Sequence, residues 1–344
     1  MPELTTAPHE IPIPKRDTDP PRTIYVAPDG SIKKDLAPGE ISRVVQSNEG
    51  LLWLDLDVTC RPHVAILEHV CKFHPLTIED TLNPNSRVKL EEYPGYLFAI
   101  IRGVRFYEST DDPYDLETFN LCFYIGKHFL VTAHAGRSEA VETVADRLDR
   151  SPDLLNRGVD RIAHGIMDSA IDAFFPLLDQ IDEFVDTLEH RVFERFDKEA
   201  LRDIFGVKRT VLSLRRHLAP QREVFNVLSN RPSTLLSPEA QVYFRDIHDH
   251  VLRINDSLET YRDLLSSTLD SYLTQVSNRL GQATKGLSVV ATVTLPFVII
   301  SGMWGMNFEK IPLQTHPNGF WLLLGIQVAV GLALLAILRV LKLL

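Results

Sequence analysis

Two pairs of side chains in this chain of 344 residues have types and spacings that could do chemistry. Asp55 and Asp57 are paired carboxylates of the kind that general acid–base catalysis uses. Alternating hydrophobicity places both acids on the polar face of a predicted strand, and no nucleophile, phosphate-binding loop or histidine cluster lies near them in the sequence. We therefore interpret Asp55 and Asp57 as solvated, and we predict that the protein is not an enzyme and uses no organic cofactor.

The second pair, Asp246 and His250, lies one helical turn apart, a spacing that could seat a softer metal such as zinc or cobalt. This is the weaker hypothesis for these residues, because histidines on helix surfaces are usually unmetallated. The three cysteines, Cys60, Cys71 and Cys122, are too few and too scattered for a zinc knuckle or a disulfide framework, and they fit a reducing cytoplasm. A net charge of −10 argues against nucleic acid as the partner.

The most distinctive stretch lies close to the C-terminus, where residues 286–308 contain no charged side chain. An α-helix rises about 1.5 Å per residue and the bilayer core is about 30 Å thick, so about 20 apolar residues can cross a membrane. A second uncharged run, residues 319–338, has Gln327 as its one strongly polar side chain. We predict two transmembrane helices over these runs, with an external loop at residues 309–318 and a cytoplasmic tail at residues 339–344.

The first predicted span is the more polar of the two. It carries hydroxyl side chains and glycines at Ser288, Thr292, Thr294, Ser301, Gly302 and Gly305. Such residues favour either close helix packing or a water-lined path over contact with lipid, and composition alone leaves both interpretations open. The residues at the end of the span, Trp304-Gly305-Met306-Asn307-Phe308, favour the interpretation as a water-lined path.

Placed between the two predicted spans, Gly305-Met306-Asn307 resembles the signature of the CorA family of magnesium transporters. Two upstream segments are also similar to this family: residues 74–80, which read HPLTIED, and residues 243–250, which read YFRDIHDH. The resemblance covers about residues 50–344. It implies a funnel-shaped homopentamer in which the first span of each subunit lines one central pore.

The resemblance also implies roles for particular residues. Gly305, Met306 and Asn307 would form the selectivity filter, where a ring of Asn307 carboxamides could hydrogen-bond hydrated magnesium without stripping its waters, which magnesium releases reluctantly. Asp80 and Asp246 match two carboxylates that meet across a subunit interface and bind regulatory magnesium. Positions that match the pore lining, its apolar constrictions and an acid near its cytoplasmic exit are Leu287, Leu295, Val298, Gly302 and Asp270.

Three features depart from the pattern of this family. Val298 stands where many relatives have a threonine that lines the pore. The loop after the first span has Lys310 next to Glu309, so we expect weaker attraction of cations at the mouth. The tail, residues 339–344, is less basic than the lysine cluster that is common in the family.

Upstream of the membrane, the sequence predicts a tail and a folded domain. Residues 1–22 contain six prolines and little apolar content, which predicts disorder. Residues 23–236 read as a cytoplasmic α/β domain. Predicted strands cover residues 23–26, 51–58, 95–104, 118–125 and 128–133, and predicted helices cover residues 63–72, 137–150, 162–196 and 199–229.

The last two of these helices carry opposite charge, which predicts either an antiparallel hairpin or two separately solvated faces. The acidic helix could also concentrate cations near a channel mouth. After them, Ser237 and Pro238 form a good helix start. An apolar stripe with steps of three and four residues then predicts one helix of about 100 Å that runs through a stalk, residues 237–285, into the first span, with Gly281 and Gly286 as candidate hinges.

Charge predicts the orientation of the chain. Arg279 and Lys285 precede the first span and Arg339 and Lys342 follow the second, so the positive-inside rule puts both chain ends in the cytoplasm. The resulting prediction is a multi-pass protein of the cell inner membrane, whose partners are its own copies, the lipid bilayer and divalent cations. It would admit magnesium, and cobalt as a second cargo, driven by the membrane potential and closed by cytoplasmic magnesium.

Two alternatives belong to other classes. One is a transporter of zinc, cobalt or nickel on the same scaffold, although the zinc branch typically departs from Gly-Met-Asn. The other is a membrane-anchored sensor that conducts nothing. The polar residues of the first span and Asn307 favour a pore, because an anchor needs neither.

Overall fold

The computed structural model describes residues 20–47, 49–106, 116–194, 197–306, 312–313 and 316–341. The chain forms two compact units. The first unit comprises residues 1–188 and 202–266, and the second comprises residues 189–201 and 267–344. The first unit therefore includes part of the stretch that was predicted as a separate stalk.

The first unit is built on a sheet of seven strands. These are β1 (Arg22–Val26), β2 (Ile32–Lys34), β3 (Leu51–Asp57), β4 (Lys89–Tyr93), β5 (Tyr96–Phe106), β6 (Leu116–Gly126) and β7 (Phe129–His134). Their order is β2-β1-β3-β7-β6-β5-β4, and every neighbouring pair is antiparallel except β3 with β7. The five predicted strands are confirmed. The sequence reading missed β2 and β4, which are short and polar.

Helices cover both faces of this sheet. The helices before the long helix described below are α1 (Pro38–Ser47), α2 (Arg61–Ala65, continued by a π-helical turn, Ile66–Cys71), α3 (Pro75–Leu82), α4 (Glu139–Arg150), α5 (Val159–Asp172), α6 (Phe175–Glu194), α7 (Lys198–Leu218) and α8 (Gln221–Asn230), and not all of them touch the sheet. The segments from α1 to α3 contribute Ile41, Ile66, Leu67 and Ile78 to the core on one face. Helix α5 packs on β3, β5, β6 and β7 from the other.

Because helices cover both faces of the sheet, the prediction that β3 has one solvent-exposed face is wrong. Alternation predicted one buried face, yet Trp53, on the face assigned to solvent, is fully buried. Its indole Nε1 donates to Thr132 Oγ1 at 3.2 Å. The solvated role predicted for Asp55 is therefore wrong, because its side chain is only 14% exposed.

Two predicted helices are each divided by a proline. The predicted helix over residues 162–196 is α5 followed by α6, since Pro176 has no N–H to donate to the carbonyl one turn earlier. The predicted helix over residues 199–229 is α7 followed by α8, with Pro220 between them. Two basic residues of α7, Lys208 and Arg215, contact the long helix described next.

That helix, α9 (Pro238–Trp304), has 67 residues and confirms the prediction of one continuous helix through the first apolar run. Ser237 Oγ caps its start by accepting a hydrogen bond from the backbone N–H of Ala240 at 3.2 Å. The helix continues through Gly281 and Gly286, so neither residue interrupts it. A last helix, α10 (Gly319–Val340), follows.

The apolar stripe of α9 changes character along its length. In the first unit its members are buried, and Lys208 and Arg215 of α7 reach across to Ser266 and Glu259 of α9 at 3.1 and 3.4 Å. In the second unit the stripe becomes exposed after Tyr272, and Leu280 is 68% exposed.

Candidate functional site

The candidate ion path lies on the apolar end of α9. Leu287, Leu295, Val298 and Gly302 fall within about 80° of one another around the helix, given about 100° per residue. The three apolar side chains are more than half exposed, and a Cβ added at Gly302 would meet nothing within 4 Å. One side of this segment is therefore left uncovered by the chain's own described residues.

Helix α10 covers a neighbouring side of the same segment. Gln327 is buried and its Nε2 donates to Ser301 Oγ at 2.8 Å. A Cβ at Gly331 would come within 2.6 Å of the Phe297 ring, so glycine there allows the two helices to approach closely. Ser301 thus takes part in the packing of the two helices.

Another hydroxyl of the span is satisfied within its own helix. Thr294 Oγ1 donates to the backbone carbonyl of Val290 at 2.9 Å. At the end of α9, the N–H of Gly305 donates to the carbonyls of Ser301 and Gly302 at 3.0 and 3.2 Å. Asn307, Glu309 and Lys310 lie outside the described residues. The acid predicted near the cytoplasmic exit, Asp270, is exposed on α9.

The first predicted regulatory carboxylate, Asp80, lies on α3. It accepts a hydrogen bond from Ser86 Oγ at 3.1 Å and forms an ion pair with Lys89 Nζ at 2.6 Å. Lys89 also contacts Glu91 at 3.0 Å. Burial lowers the pKa of Lys89, but the hydrogen bonds and charges of Asp80 and Glu91 outweigh it, so the pKa lies above its usual value.

The loop that carries Ser86 is held by two buried polar residues that sequence reasoning missed. Arg102 of β5 donates to the carbonyls of Pro84 and Ser86, both at 3.1 Å. Asn120 of β6 donates to the carbonyl of Asn83 at 3.0 Å. The available signal was the charge of Arg102 directly after the apolar run of β5.

The second predicted carboxylate, Asp246, is exposed on α9. The structure pairs its predicted metal partner, His250, with a different acid: His250 Nδ1 lies 3.0 Å from Asp172 Oδ1 of α5. One ligand atom each from Asp168, Asp172 and His250 lie within 4.8 Å of one another. Three side chains that could hold a metal are therefore brought together from two helices, and the sequence offered no signal for the contribution of α5.

Burial and neighbouring charges shift the pKa values of Asp168, a member of this group, and of His164 nearby. Burial raises the pKa of Asp168 above its usual value, and the charge of Asp172 adds to the increase. One turn earlier on α5, burial and the charge of Arg161 lower the pKa of His164 to about 4. His164 is therefore neutral at physiological pH.

A separate buried pair links the parallel strands β3 and β7. Asp55 Oδ1 lies 3.2 Å from His134 Nε2 and accepts a hydrogen bond from Thr132 Oγ1 at 2.5 Å. Burial opposes charge on both groups. The His134 charge and the hydrogen bonds nevertheless hold the pKa of Asp55 below its usual value, and the charge of Asp55 holds the pKa of His134 above its own. The pair lies at one end of the β3–β7 ladder, in which Asp55 pairs with Thr132 and His134 with Asp57.

Comparison with known proteins identifies the family. The family described as CorA-like Mg²⁺ transporter protein matches residues 48–339. The chain belongs to the CorA family. CorA-family proteins are transporters or channels rather than enzymes, and the two apolar helices of this member make it an integral membrane protein.

Individual relatives agree with this assignment. YfjQ of Bacillus subtilis is 31% identical over 86% of this chain and 90% of its own length. The cobalt/magnesium transport protein CorA of Thermotoga maritima is 30% identical over 79% of this chain and 78% of its own length. The complete structure of the CorA magnesium transporter from Methanocaldococcus jannaschii superposes with a TM-score of 0.79 at 20% identity, covering 94% of this chain and 98% of that one. The CorA fold is therefore present along nearly the whole chain.

Proposed function

We propose that this CorA-family protein is a channel that admits divalent cations, with magnesium as the main cargo and cobalt as a second one. The observation that carries the proposal is the uncovered side of α9 formed by Leu287, Leu295, Val298 and Gly302, which leads to Gly305 at the end of the same helix. Contact with lipid would also suit the apolar residues of this side, but Gly302 on it and Gly305-Met306-Asn307 after it favour a pore, because an anchor needs neither.

The proposed assembly is a funnel-shaped homopentamer. Leu273, Val276 and Leu280 are exposed on α9 just before its uncharged segment begins. Large apolar side chains that lie outside the lipid are normally covered by a partner. Copies of the same helix are the proposed cover, and the uncovered side of the span would then face a central pore.

The proposed filter is Gly305, Met306 and Asn307. Magnesium binds water strongly, so a ring of carboxamides can select the hydrated ion through hydrogen bonds. Leu295 and Leu287 would form apolar constrictions that block the pore when they dewet. With both chain ends in the cytoplasm of an inner-membrane protein, a potential of about 100 mV contributes about 4.6 kcal/mol to the entry of a divalent ion, at about 2.3 kcal/mol per charge.

The proposed closing signal is cytoplasmic magnesium bound between Asp80 of one subunit and Asp246 of the next. Both residues fit such a role, since carboxylate oxygens are ligands that magnesium prefers and both side chains reach the surface of the chain. Lys89 neutralises Asp80 within its own subunit, so the ion would share or displace this ammonium group. Bound magnesium would favour the closed state to the extent that it binds that state more tightly.

Cation uptake by the purified full-length protein in liposomes tests the proposal. We expect magnesium uptake that rises with an inside-negative potential, with cobalt admitted as well. Faster uptake of zinc or nickel than of magnesium would favour the alternative cargo on the same scaffold. Assembled protein that takes up none of the four ions at any potential would contradict a channel and favour a sensor.

A further inference from the structure

Helix α7 carries an exposed stripe in addition to the one that it buries. The buried stripe packs inside the first unit and consists of Ile204, Val207, Val211, Leu214 and Leu218. The exposed one, called here the α7 stripe, also advances by alternating steps of three and four residues and consists of Arg202, Phe205, Arg209, Leu212 and Arg216. Phe205 and Leu212 are 51% and 44% exposed. Because this spacing is typical of a seam between packed helices, it indicates that a partner covers the α7 stripe.

Helix α6 exposes a stripe of the opposite charge. Asp179, Glu183 and Asp186 follow steps of four and three residues, and all three side chains are exposed. They are called here the acidic stripe. Residues 175–188 contain no lysine or arginine, whereas the α7 stripe contains three arginines and no acid. The two stripes are therefore complementary in charge, and they lie on different helices of the same chain.

Contacts with α9 give the height of the acidic stripe along that long helix. Asp172, just before α6, contacts His250 of α9 at 3.0 Å. Within α6, Asp182 accepts a hydrogen bond from the Tyr261 hydroxyl. The partners on α9 are thus 78 and 79 residues further along the chain. A step along α6 is therefore matched by an equal step along α9 in the same direction.

Two further contacts give the height of the α7 stripe. Lys208 Nζ donates to Ser266 Oγ of α9 at 3.1 Å, and Arg215 pairs with Glu259 at 3.4 Å. Seven residues forward on α7 therefore correspond to seven residues backward on α9. Helix α7 runs antiparallel to α9, so its height can be compared with that of α6 on the same scale.

The charged residues of the two stripes lie at matching heights. Asp179 is level with Arg216, and Asp186 is level with Arg209, to within about one residue of α9. A rotation about an axis that runs along α9 leaves these heights unchanged. We propose that the α7 stripe of one chain docks on the acidic stripe of α6 in the next chain of the ring. Leu212, which lies between the two arginines, would be covered by this contact.

A second copy of the chain is the partner that the charges favour. Every chain carries both stripes, so the contact joins unlike faces, and a head-to-tail contact of this kind closes a ring when the rotation allows it. A two-fold contact would instead set arginines against arginines or carboxylates against carboxylates. This inference rests on the proposed assembly, because the chains must stand side by side with their α9 helices pointing the same way.

Crosslinking between two differently marked full-length chains tests the contact. One chain carries Arg209→Cys and the other carries Asp186→Cys, and the two are expressed together and treated with a short bis-maleimide. We expect a covalent dimer from the mixture and none from either variant alone. Arg216→Cys with Asp186→Cys is the register control, because a shift of seven residues moves the partner by about 10 Å and should prevent the crosslink.

Charge reversal supplies a second readout. Arg209→Glu with Arg216→Glu should raise by about tenfold the chain concentration at which half of the oligomer dissociates, because two ion pairs become repulsive. Adding Asp179→Arg and Asp186→Arg should restore assembly, a rescue that a folding defect would not show. Arg222→Glu, at an exposed arginine of α8, is the matched control and should assemble like wild type.

Native mass spectrometry of the same samples separates this inference from the proposed assembly. A closed oligomer without the crosslink between Arg209→Cys and Asp186→Cys chains, or with a crosslink only in the shifted pair, would overturn the inference and leave the assembly standing. A crosslink of either single variant to itself would show a two-fold contact and would overturn the inference as well. A monomer would contradict both proposals.

Discussion

The two compact units differ in how far they bury their own apolar side chains. In the first unit the apolar stripe of α9 is buried, and even Asp55 has a charged partner in His134. In the second unit the same stripe continues into exposed positions such as Leu280, and most of the apolar side chains of α10 are exposed. The difference teaches that the first unit contains its own core, whereas the second leaves an apolar surface that a bilayer and the proposed assembly would cover.

The largest expected effect comes from breaking the core of the first unit. Trp53 is fully buried, and Trp53→Ala should reduce the free energy of unfolding by about 3–5 kcal/mol because it leaves a cavity. Chemical denaturation of the full-length protein, followed by circular dichroism, measures the change. A loss below about 1 kcal/mol would mean that the face under α5 is not a tightly packed core.

Leu280→Ala provides the contrasting variant in the second unit. This side chain is 68% exposed in one chain, so its removal should leave the unfolding of the first unit unchanged. It should instead weaken each contact between subunits by about 2 kcal/mol if other copies cover it. Native mass spectrometry reports the oligomer. An assembly as stable as wild type would show that Leu280 does not lie between subunits.

The next effect concerns the uncovered side of α9. Replacing Leu295 with Asn should wet an apolar constriction and raise conductance several-fold, since a ring of leucines opposes the entry of water. Single-channel recording measures current and open probability. Leu332→Asn, at an exposed position on α10, is the control and should not change either quantity. Unchanged current in Leu295→Asn would mean that this residue does not face the pore.

A smaller effect is expected for magnesium sensing in the first unit. The double variant Asp80→Asn with Asp246→Asn should need about tenfold more internal magnesium to close, because the proposed ligands lose their charge. Uptake at graded internal magnesium measures the midpoint. Glu91→Gln is a matched control, since it removes the other partner of Lys89 and leaves both proposed ligands. Closure of the double variant at the wild-type concentration would place sensing elsewhere.

The smallest effect is a pH dependence of the first unit. The pKa of His134 is raised above 6.5 in the folded state, so its pairing with Asp55 stabilises fully below that pH and is lost as pH rises through the higher folded value. The pKa of Asp55 is lowered, so its contribution is lost only as pH falls through the depressed value, on the acid side of 3.8. Each tenfold change in proton affinity is worth about 1.4 kcal/mol.

Melting temperatures measured from pH 6 to pH 9 test this dependence. We expect the stability of wild type to decline over this range more than that of His134→Gln, which has no imidazole to titrate. His69→Gln removes an exposed histidine and should follow wild type. Parallel curves for wild type and His134→Gln would mean that the pair does not change its charge in this range.

Local patterns predicted much of the fold. The stripe of α9 and the Ser237 cap specify a helix by themselves, and the helix observed begins at Pro238. The prolines at positions 176 and 220 were local signals too, but the amphipathic pattern continues past them and concealed the breaks. The burial of Trp53 depends on where α5 packs, which periodicity within one strand does not contain.

The candidate sites were less accessible from the sequence. The Arg102 contacts that hold the loop after α3, and the meeting of Asp172 with His250 across 78 residues, are products of tertiary structure. The uncovered side of α9 could be predicted from the resemblance to the CorA family, since it depends on spacing along one helix. Its proposed function as a pore lining would require several chains.

Magnesium uptake by Asn307→Ala in liposomes tests the central claim most directly. The proposed channel selects hydrated magnesium with a ring of Asn307 carboxamides, so removing them should abolish potential-driven uptake while the purified protein keeps its oligomeric state. Asn318→Ala, at the N-cap position of α10, is the matched asparagine control and should transport normally. Uptake at the wild-type rate by correctly assembled Asn307→Ala would contradict the proposed filter and the ion path that leads to it.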